Sequence, residues 1–209
     1  MKKLSVIAAV TLTAIMALPA QEAAALTYGP SGLCPINGTL TTDCNLIVTF
    51  NADGSISTSG IGGNYEGNED ALIGVVNNTS HAISSFNVTG SFIFGFDGDG
   101  INGYTGVTNA AAGLSQSNIL GMGADAYGGA DGYFTNVNTS IYNTGTVNFL
   151  SGIGANGGTD YFSLEEPISL AAPPVFGQPG GTVPEPASLA LLAVGLVGLG
   201  AIGRGKLAS

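Results

Sequence analysis

The stretch that decides the fold class runs from residue 71 to residue 96 and reads ALIGVVNNTSHAISSFNVTGSFIFGF. Short runs of β-branched and aromatic residues alternate in it with Asn, Ser and Gly, which favour turns. In the central run Ile83, Phe86 and Val88 form an imperfect inward face, because side chains alternate between the two faces of a strand. The stretch predicts three strands: Ala71–Asn77, Ile83–Gly90 and Phe92–Phe96.

The same pattern continues on both sides of this stretch. Ala52-Asp53-Gly54 is a tight-turn signal, so we expect the two runs beside it to form a hairpin. The one predicted helix lies around Thr108–Ser117. Many short strands spaced by roughly 8–12 residues predict an all-β fold, a single β-sandwich of jelly-roll or Ig-like type. The further predicted strands are Leu46–Phe50, Ser55–Ser59, Tyr133–Val137, Ser140–Asn143, Thr146–Leu150, Tyr161–Leu164 and Ile168–Leu170.

Charge is distributed very unevenly along the 209 residues. The chain has 14 Asp+Glu but only 4 Lys+Arg, and no Lys or Arg lies between residues 26 and 183. A body without cations has no counter-charge for phosphate groups, so nucleic-acid binding is excluded. Binding to anionic lipid through a basic patch is excluded for the same reason. The four basic residues are Lys2, Lys3, Arg204 and Lys206.

The N-terminus has the order of features typical of a signal peptide. Lys2 and Lys3 precede an apolar run, Leu4–Leu18, and a small-residue stretch that ends at Ala25. We therefore predict a signal peptide over residues 1–25 that directs the chain to the Sec export machinery. We expect cleavage after Ala25, with Ala20 as the second choice. The alternative is an uncleaved amphipathic N-terminal helix.

The C-terminal region contains a second apolar segment. Ala187–Gly203 has 17 residues without a charge, which span about 25 Å as a helix. We predict a transmembrane helix over residues 187–203, because the segment is apolar on all sides. Arg204 and Lys206 favour a cytoplasmic C-terminus. The alternative is a buried core helix.

Pro184-Glu185-Pro186 stands directly before this apolar segment, and a basic end follows it. The two prolines favour an extended backbone around the glutamate. The combination, over Val183–Ser209, resembles the PEP-CTERM sorting signal. That resemblance implies recognition by exosortase, a transpeptidase-like membrane enzyme of Gram-negative bacteria, and processing near the motif. Tails of that family often end in several arginines, whereas here Gly205 separates Arg204 from Lys206.

Parts of the body also resemble largely uncharacterised ectodomains that precede such tails. This resemblance implies a β-domain and transfers no catalytic residues. The expected organisation is a signal peptide (1–25), an ectodomain (26–170), a Pro/Gly-rich linker (171–182) and a sorting signal (183–209). The resembling segments are Val75–Asn78, Ile93–Ile101, Gly145–Phe149 and Tyr161–Glu165.

Cys34 and Cys44 are the two cysteines of the chain. In an exported protein such a pair predicts a disulfide. The alternative is two free buried thiols. A structural zinc site normally needs four ligands, so these two residues alone do not predict one.

Asp97-Gly98-Asp99-Gly100, followed by Asn102, is similar to the oxygen-rich start of a calcium-binding loop. We therefore consider Asp97, Asp99 and Asn102 as calcium ligands, with an ordinary acidic turn as the alternative. Residues 66–70 form a second acidic segment, for which we expect a solvated loop. Residues 152–157 match G-x-G-x-x-G, but a turn and a strand follow instead of the helix that a dinucleotide site requires.

No arrangement typical of an enzyme emerges. His81 is the single histidine and lies in a predicted turn, and the body has no Lys or Arg to stabilise an oxyanion. We therefore predict that the protein is not an enzyme. We expect a structural or adhesive protein of the cell surface or extracellular matrix, held in the inner membrane by its C-terminal helix until exosortase processes it.

Its expected partners are exopolysaccharide or other surface proteins. One alternative is a calcium-dependent carbohydrate- or protein-binding module, and a second is a secreted carboxylate-dependent hydrolase. A binding module should present aromatic side chains on a concave patch, whereas a structural domain should pack them inside. The aromatic residues that distinguish these cases are Tyr65, Tyr104, Tyr127 and Tyr133.

Overall fold

The computed structural model describes residues 26–36, 43–114 and 123–182. Over these residues the chain forms two β-sheets, one short helix, α1 (Ile101–Thr105), and a single 3-10 turn (Ala124–Ala126), so the predicted all-β class is confirmed. The strands are β1 Leu46–Phe50, β2 Ile56–Gly60, β3 Ala71–Asn77, β4 Ile83–Thr89, β5 Gly132–Thr135, β6 Thr144–Ile153, β7 Gly158–Leu164, β8 Val175–Phe176 and β9 Gly180–Thr182.

The first sheet has the strand order β2-β1-β3-β7. β1 and β2 form the antiparallel hairpin that the turn at residues 52–54 predicts. β3 runs parallel to β1 and antiparallel to β7. In the second sheet β4 pairs with β6, and β6 pairs with β5. The other edge of β4 pairs with both β8 and β9.

Apolar side chains from both sheets form one buried cluster. Phe86 of β4 connects them, because its ring centroid lies 5.0 Å from that of Phe50 in β1 and 6.1 Å from that of Phe162 in β7. Burial of one such aromatic side chain stabilises the fold by about 1.5–3 kcal/mol. The inward residues of β4 are Ile83, Phe86 and Val88, as its sequence predicts.

β3 is buried on both of its faces, which explains its almost uninterrupted apolar sequence. One face joins the main cluster, and the other lies under a second, smaller cluster. Gly74 is required on this second face, because a Cβ there would lie 2.6 Å from Sγ of Cys44. The buried members of the second cluster are Cys34, Cys44, Tyr65, Leu72, Ile101 and Tyr161.

Two predicted strands are turns in the structure. Residues 92–96 turn at Phe92, whose φ is +57°, and the amide of Gly95 donates to the carbonyl of Phe92. Residues 140–143 form a second turn, in which Tyr142 also has a positive φ of +50°. The two turns pack against each other, with the rings of Phe92 and Tyr142 5.4 Å apart. Ile93, Phe94 and Phe96 are nevertheless buried, so their apolar pattern reflects burial in a loop.

Two other predicted elements also differ. Residues 108–114, the described part of the predicted helix, are turns and irregular backbone, and the helix that forms instead is α1. Ile168 forms only an isolated bridge with Gly63, so residues 168–170 do not form a strand. In the first segment Asn109 accepts from the amide of Ala111 and donates to the carbonyl of Gly132, and such side-chain bonds to the backbone compete with a helix.

The stretch 171–182, expected to be a linker, contributes two strands. β8 pairs with Val88 and Thr89, and β9 pairs with Ile83 and Ser85, all in β4. Phe176 is buried, with its ring 6.2 Å from that of Phe86. The end of the expected linker, residues 175–182, is thus part of the second sheet.

Both predicted targeting segments lie outside the described residues. They comprise the signal peptide with its cleavage site Ala25, the apolar segment 187–203, and Pro184, Glu185, Pro186, Arg204 and Lys206. Among the residues that are described, no helix has the length and apolar character needed to cross a membrane.

Candidate functional site

Three chain segments meet beside the adjacent strands β3 and β7. Asp70 immediately precedes β3, and Glu165 immediately follows β7. The amide of Asp70 donates to the carbonyl of Glu165 at 2.9 Å. The amide of Glu165 donates to the carbonyl of Ile93 at 3.1 Å, which brings in the segment that leads to Asp97 and Asp99. Antiparallel pairing therefore places acidic residues from distant parts of the chain at one end of the first sheet.

Six carboxylates form two neighbouring triads at this end, which we call the acidic cluster. Within each triad, one oxygen of every member lies within 4.8 Å of an oxygen of the others. The first triad, called the inner triad, is Glu66, Asp70 and Asp99. The second, called the outer triad, is Glu69, Asp97 and Glu165.

Tyrosine hydroxyls supply hydrogen-bond donors to the acidic cluster. Tyr127 Oη lies 2.7 Å from Oε2 of Glu165, 2.9 Å from Oδ1 of Asp99 and 3.2 Å from Oδ1 of Asp97. A hydroxyl carries a single proton, so three carboxylates compete for this donor. Tyr65 donates to Oδ2 of Asp70 at 2.8 Å, and the more exposed Tyr104 donates to Oε2 of Glu66 at 2.9 Å.

The environment favours the protonated forms of most of these groups. Burial, together with the charges of Glu165, Asp99 and Glu66, raises the pKa of Asp70 to about 8. Burial, with the charges of Asp97, Glu69 and Asp99 added, raises the pKa of Glu165 to about 7. Burial also raises the pKa of Tyr65 and of Tyr127. Burial disfavours the charged form of an acid, and neighbouring negative charges disfavour it further.

Asp97 and Asp99 differ although they are neighbours. A hydrogen bond from Asp99 lowers the pKa of Asp97, whereas burial and that same hydrogen bond raise the pKa of Asp99. Their interaction therefore shifts the two pKa values in opposite directions.

Asp70 is the most constrained member of the acidic cluster. Its side chain is 0 % exposed and its backbone has a left-handed φ of +58°. Tyr65 binds Oδ2, while Oδ1 is buried and has no hydrogen-bond partner among the described residues. An unsatisfied buried carboxylate oxygen is costly, because it has lost its water without gaining a donor.

The structure places the three predicted calcium ligands in two different settings. Asp97 and Asp99 do belong to the acidic cluster. Asn102 has a different local role, because its Nδ2 donates to the carbonyls of Asp125 and Gly129. Its part as a calcium ligand stays a prediction. The segment 66–70, expected to be a solvated loop, instead supplies members of both triads.

The other residues singled out in the sequence lie apart from the acidic cluster. Cys34 and Cys44 form the disulfide, with their Cα atoms 5.2 Å apart. His81 is exposed in the turn before β4 and contacts Oγ of Ser80 through Nδ1. Residues 152–157 end β6 and form the turn into β7, without the helix of a dinucleotide site.

A family model, described as the PEP-CTERM protein-sorting motif, matches residues 182–205. No curated protein and no solved structure matches the chain. The matched residues include the Pro-Glu-Pro tripeptide, the apolar segment after it and Arg204. The motif implies export and processing by exosortase at the membrane. The chain thus carries a PEP-CTERM sorting motif, consistent with an exosortase substrate.

Proposed function

We propose that the described body is a structural or adhesive component of the cell surface or extracellular matrix. The sorting motif, which follows directly on the last strand of a disulfide-bonded β-domain, is the observation that carries this proposal. A signal peptide over residues 1–25 and a transmembrane helix over residues 187–203 complete the proposed export route. In this proposal the two sheets form a β-sandwich.

The placement of the aromatic residues supports a structural role. Tyr65 and Tyr127 are fully buried, and both use their hydroxyls within the acidic cluster. Tyr104 is 39 % exposed, but its hydroxyl is bound to Glu66 and its ring packs against Tyr65. Carbohydrate-binding modules generally need exposed aromatic faces. These three tyrosines contribute to internal packing, which favours a structural domain over an aromatic sugar-binding patch.

The proposal assigns no catalytic role to the body. The acidic cluster combines several titratable groups, but three tyrosine hydroxyls already bind its carboxylates. A hydrolase would need two of these carboxylates to face a substrate and a water molecule. The burial of Asp70 and Glu165 beside β3 and β7 instead supports a role in holding loops together.

Fractionation of cells tests the proposal. We expect the processed chain in the surface or matrix fraction of a strain with active exosortase, and we expect purified chain to co-sediment with matrix polysaccharide or with other surface proteins. A deletion strain should show a weaker matrix or reduced attachment. Retention of all the protein in the inner membrane, or an unaltered matrix and attachment in the deletion strain, would contradict the proposal.

A further inference from the structure

We propose that the inner triad, Glu66, Asp70 and Asp99, binds a calcium ion. The three residues come from two loops that meet beside the end of β3. The ion would join the loop before β3 to the loop before α1. This inference concerns a metal site and does not depend on the proposed role in the matrix.

The spacing of the oxygens fits one calcium ion. Calcium binds carboxylate oxygens at about 2.3–2.6 Å, so two ligands of one ion lie at most about 5 Å apart. One oxygen from each member of the inner triad lies within 4.8 Å of the other two. A single ion can therefore contact all three side chains without a change in the fold.

Asp70 provides an observation that is independent of the clustering. Its carboxylate is completely buried, and Oδ1 lacks a hydrogen-bond partner although Oδ2 accepts from Tyr65. A buried carboxylate oxygen normally has a donor or a cation beside it. Because the same carboxylate lies against those of Glu66 and Asp99, a bound cation supplies the missing partner.

The charge around the inner triad also favours a cation. The outer triad adds three carboxylates, and residues 26–182 contain no Lys or Arg that could neutralise them. Protons from tyrosine hydroxyls satisfy single oxygens but add no positive charge. A divalent ion neutralises two charges at once and lowers the repulsion within the folded state.

The ligand chemistry selects calcium over magnesium and zinc. All three ligands are carboxylates, and zinc sites in proteins are built mainly from Cys and His. Magnesium demands a near-ideal octahedron and usually retains several waters, whereas calcium accepts irregular sets of six to eight oxygens. The loops that supply the three ligands turn at Gly67 and Gly98, which have φ of +103° and +109°. Calcium modules outside the cell bind with dissociation constants of about 0.1–1 mM.

Equilibrium dialysis of the full-length chain, purified in detergent and stripped with EDTA, tests the site directly. We expect saturable calcium binding that equimolar magnesium does not displace. Asp99→Asn and Glu66→Gln should each weaken it on the order of tenfold or more, because each removes a charged ligand. Thermal unfolding should shift to higher temperature with calcium and less with sodium at equal ionic strength.

Glu69→Gln is the matched control, because it removes one charge from the same loop without removing an inner-triad ligand. We expect it to weaken binding much less than Glu66→Gln does. Equal losses in these two variants would overturn the assignment to the inner triad, and absence of saturable binding in the unmodified chain would overturn the site itself. Asp70→Asn is informative only if the variant folds, so the test relies on the more exposed Glu66 and Asp99.

Discussion

The hydroxyl of Tyr127 donates to Oε2 of Glu165 at 2.7 Å, across 38 positions of the chain. Both side chains are buried, and the amide of Ser163 donates to the carbonyl of Tyr127 at 2.7 Å, which fixes the position of the tyrosine beside β7. In a body without Lys or Arg, this hydroxyl supplies a hydrogen-bond donor to the buried carboxylate without adding a positive charge.

The first prediction concerns this hydroxyl. Tyr127→Phe keeps the ring that packs 4.4 Å from that of Phe96 but leaves the carboxylate of Glu165 without its donor. We expect the free energy of unfolding in EDTA to fall by about 1–3 kcal/mol, the usual cost of an unsatisfied buried group. Urea unfolding of the variant and of the unmodified chain measures this difference in free energy. Tyr133→Phe, outside the acidic cluster, is the control, and an equal loss there would contradict the explanation.

The second prediction concerns the contact between Gly74 and the disulfide. Gly74→Ala would place a Cβ 2.6 Å from Sγ of Cys44 and 3.3 Å from Cβ of Leu33. Overpacking of this kind costs about 1–3 kcal/mol, so we expect a lower melting temperature. Gly154→Ala is the control, because nothing lies within 4 Å of its added Cβ. The contact is unimportant if both variants melt at the same temperature.

The third prediction concerns pH. Burial, with the charge of Asp131 and a hydrogen bond to it added, raises the pKa of Asp160 to about 7 from an ordinary value of 3.8. The folded state therefore retains a proton that the unfolded state releases, and stability is lost as the pH rises from about 4 through about 7. Asp160→Asn cannot titrate, so its free energy of unfolding in EDTA should depend less on pH in this range.

Urea unfolding of both proteins between about pH 5 and pH 8 measures this difference. Asp70 and Glu165, whose pKa values are also raised, change stability in the same direction in both proteins. The comparison therefore isolates the contribution of Asp160. Parallel curves for the two proteins would show that Asp160 titrates normally.

The fourth prediction concerns sorting. Replacement of Pro184, Glu185 and Pro186 by alanine should leave an unprocessed, membrane-bound chain, because the extended segment that exosortase is proposed to recognise is lost. Deletion of residues 184–209 should instead release the chain from the membrane fraction. Immunoblots of cell fractions distinguish these results. Normal processing of the alanine variant would contradict recognition through the tripeptide but not the membrane segment.

The strands that local sequence predicts well are those with regular apolar patterns. β1 and β3 begin and end at the predicted residues, because their β-branched residues lie between clear turn signals. Residues 92–96 have an equally apolar pattern but form a turn, since burial alone selects apolar residues in either structure. β8 and β9 have no such pattern. Their pairing depends on the open edge of β4, which local sequence does not contain.

The acidic cluster, too, can be predicted only in part from local sequence. Asp97 and Asp99 are recognisable because they are two positions apart in one Gly-rich turn. Their association with Glu66, Asp70 and Glu165 depends on the pairing of β3 with β7, which brings together residues far apart in the chain. One signal was available in the sequence, since Asp70 directly precedes a strand of uniformly apolar residues and is therefore expected near the core.

The pairing of Thr182 with Ile83 fixes the end of the described body just before the Pro-Glu-Pro tripeptide. Pro184 is only two positions beyond Thr182, and residues 183–186 reach at most about 14 Å even when fully extended. An enzyme that cuts within residues 183–186 must therefore work within about 14 Å of β9. Such a cut leaves β9 intact, so the released body keeps the edge of β4 covered and presents no new edge there for uncontrolled strand pairing.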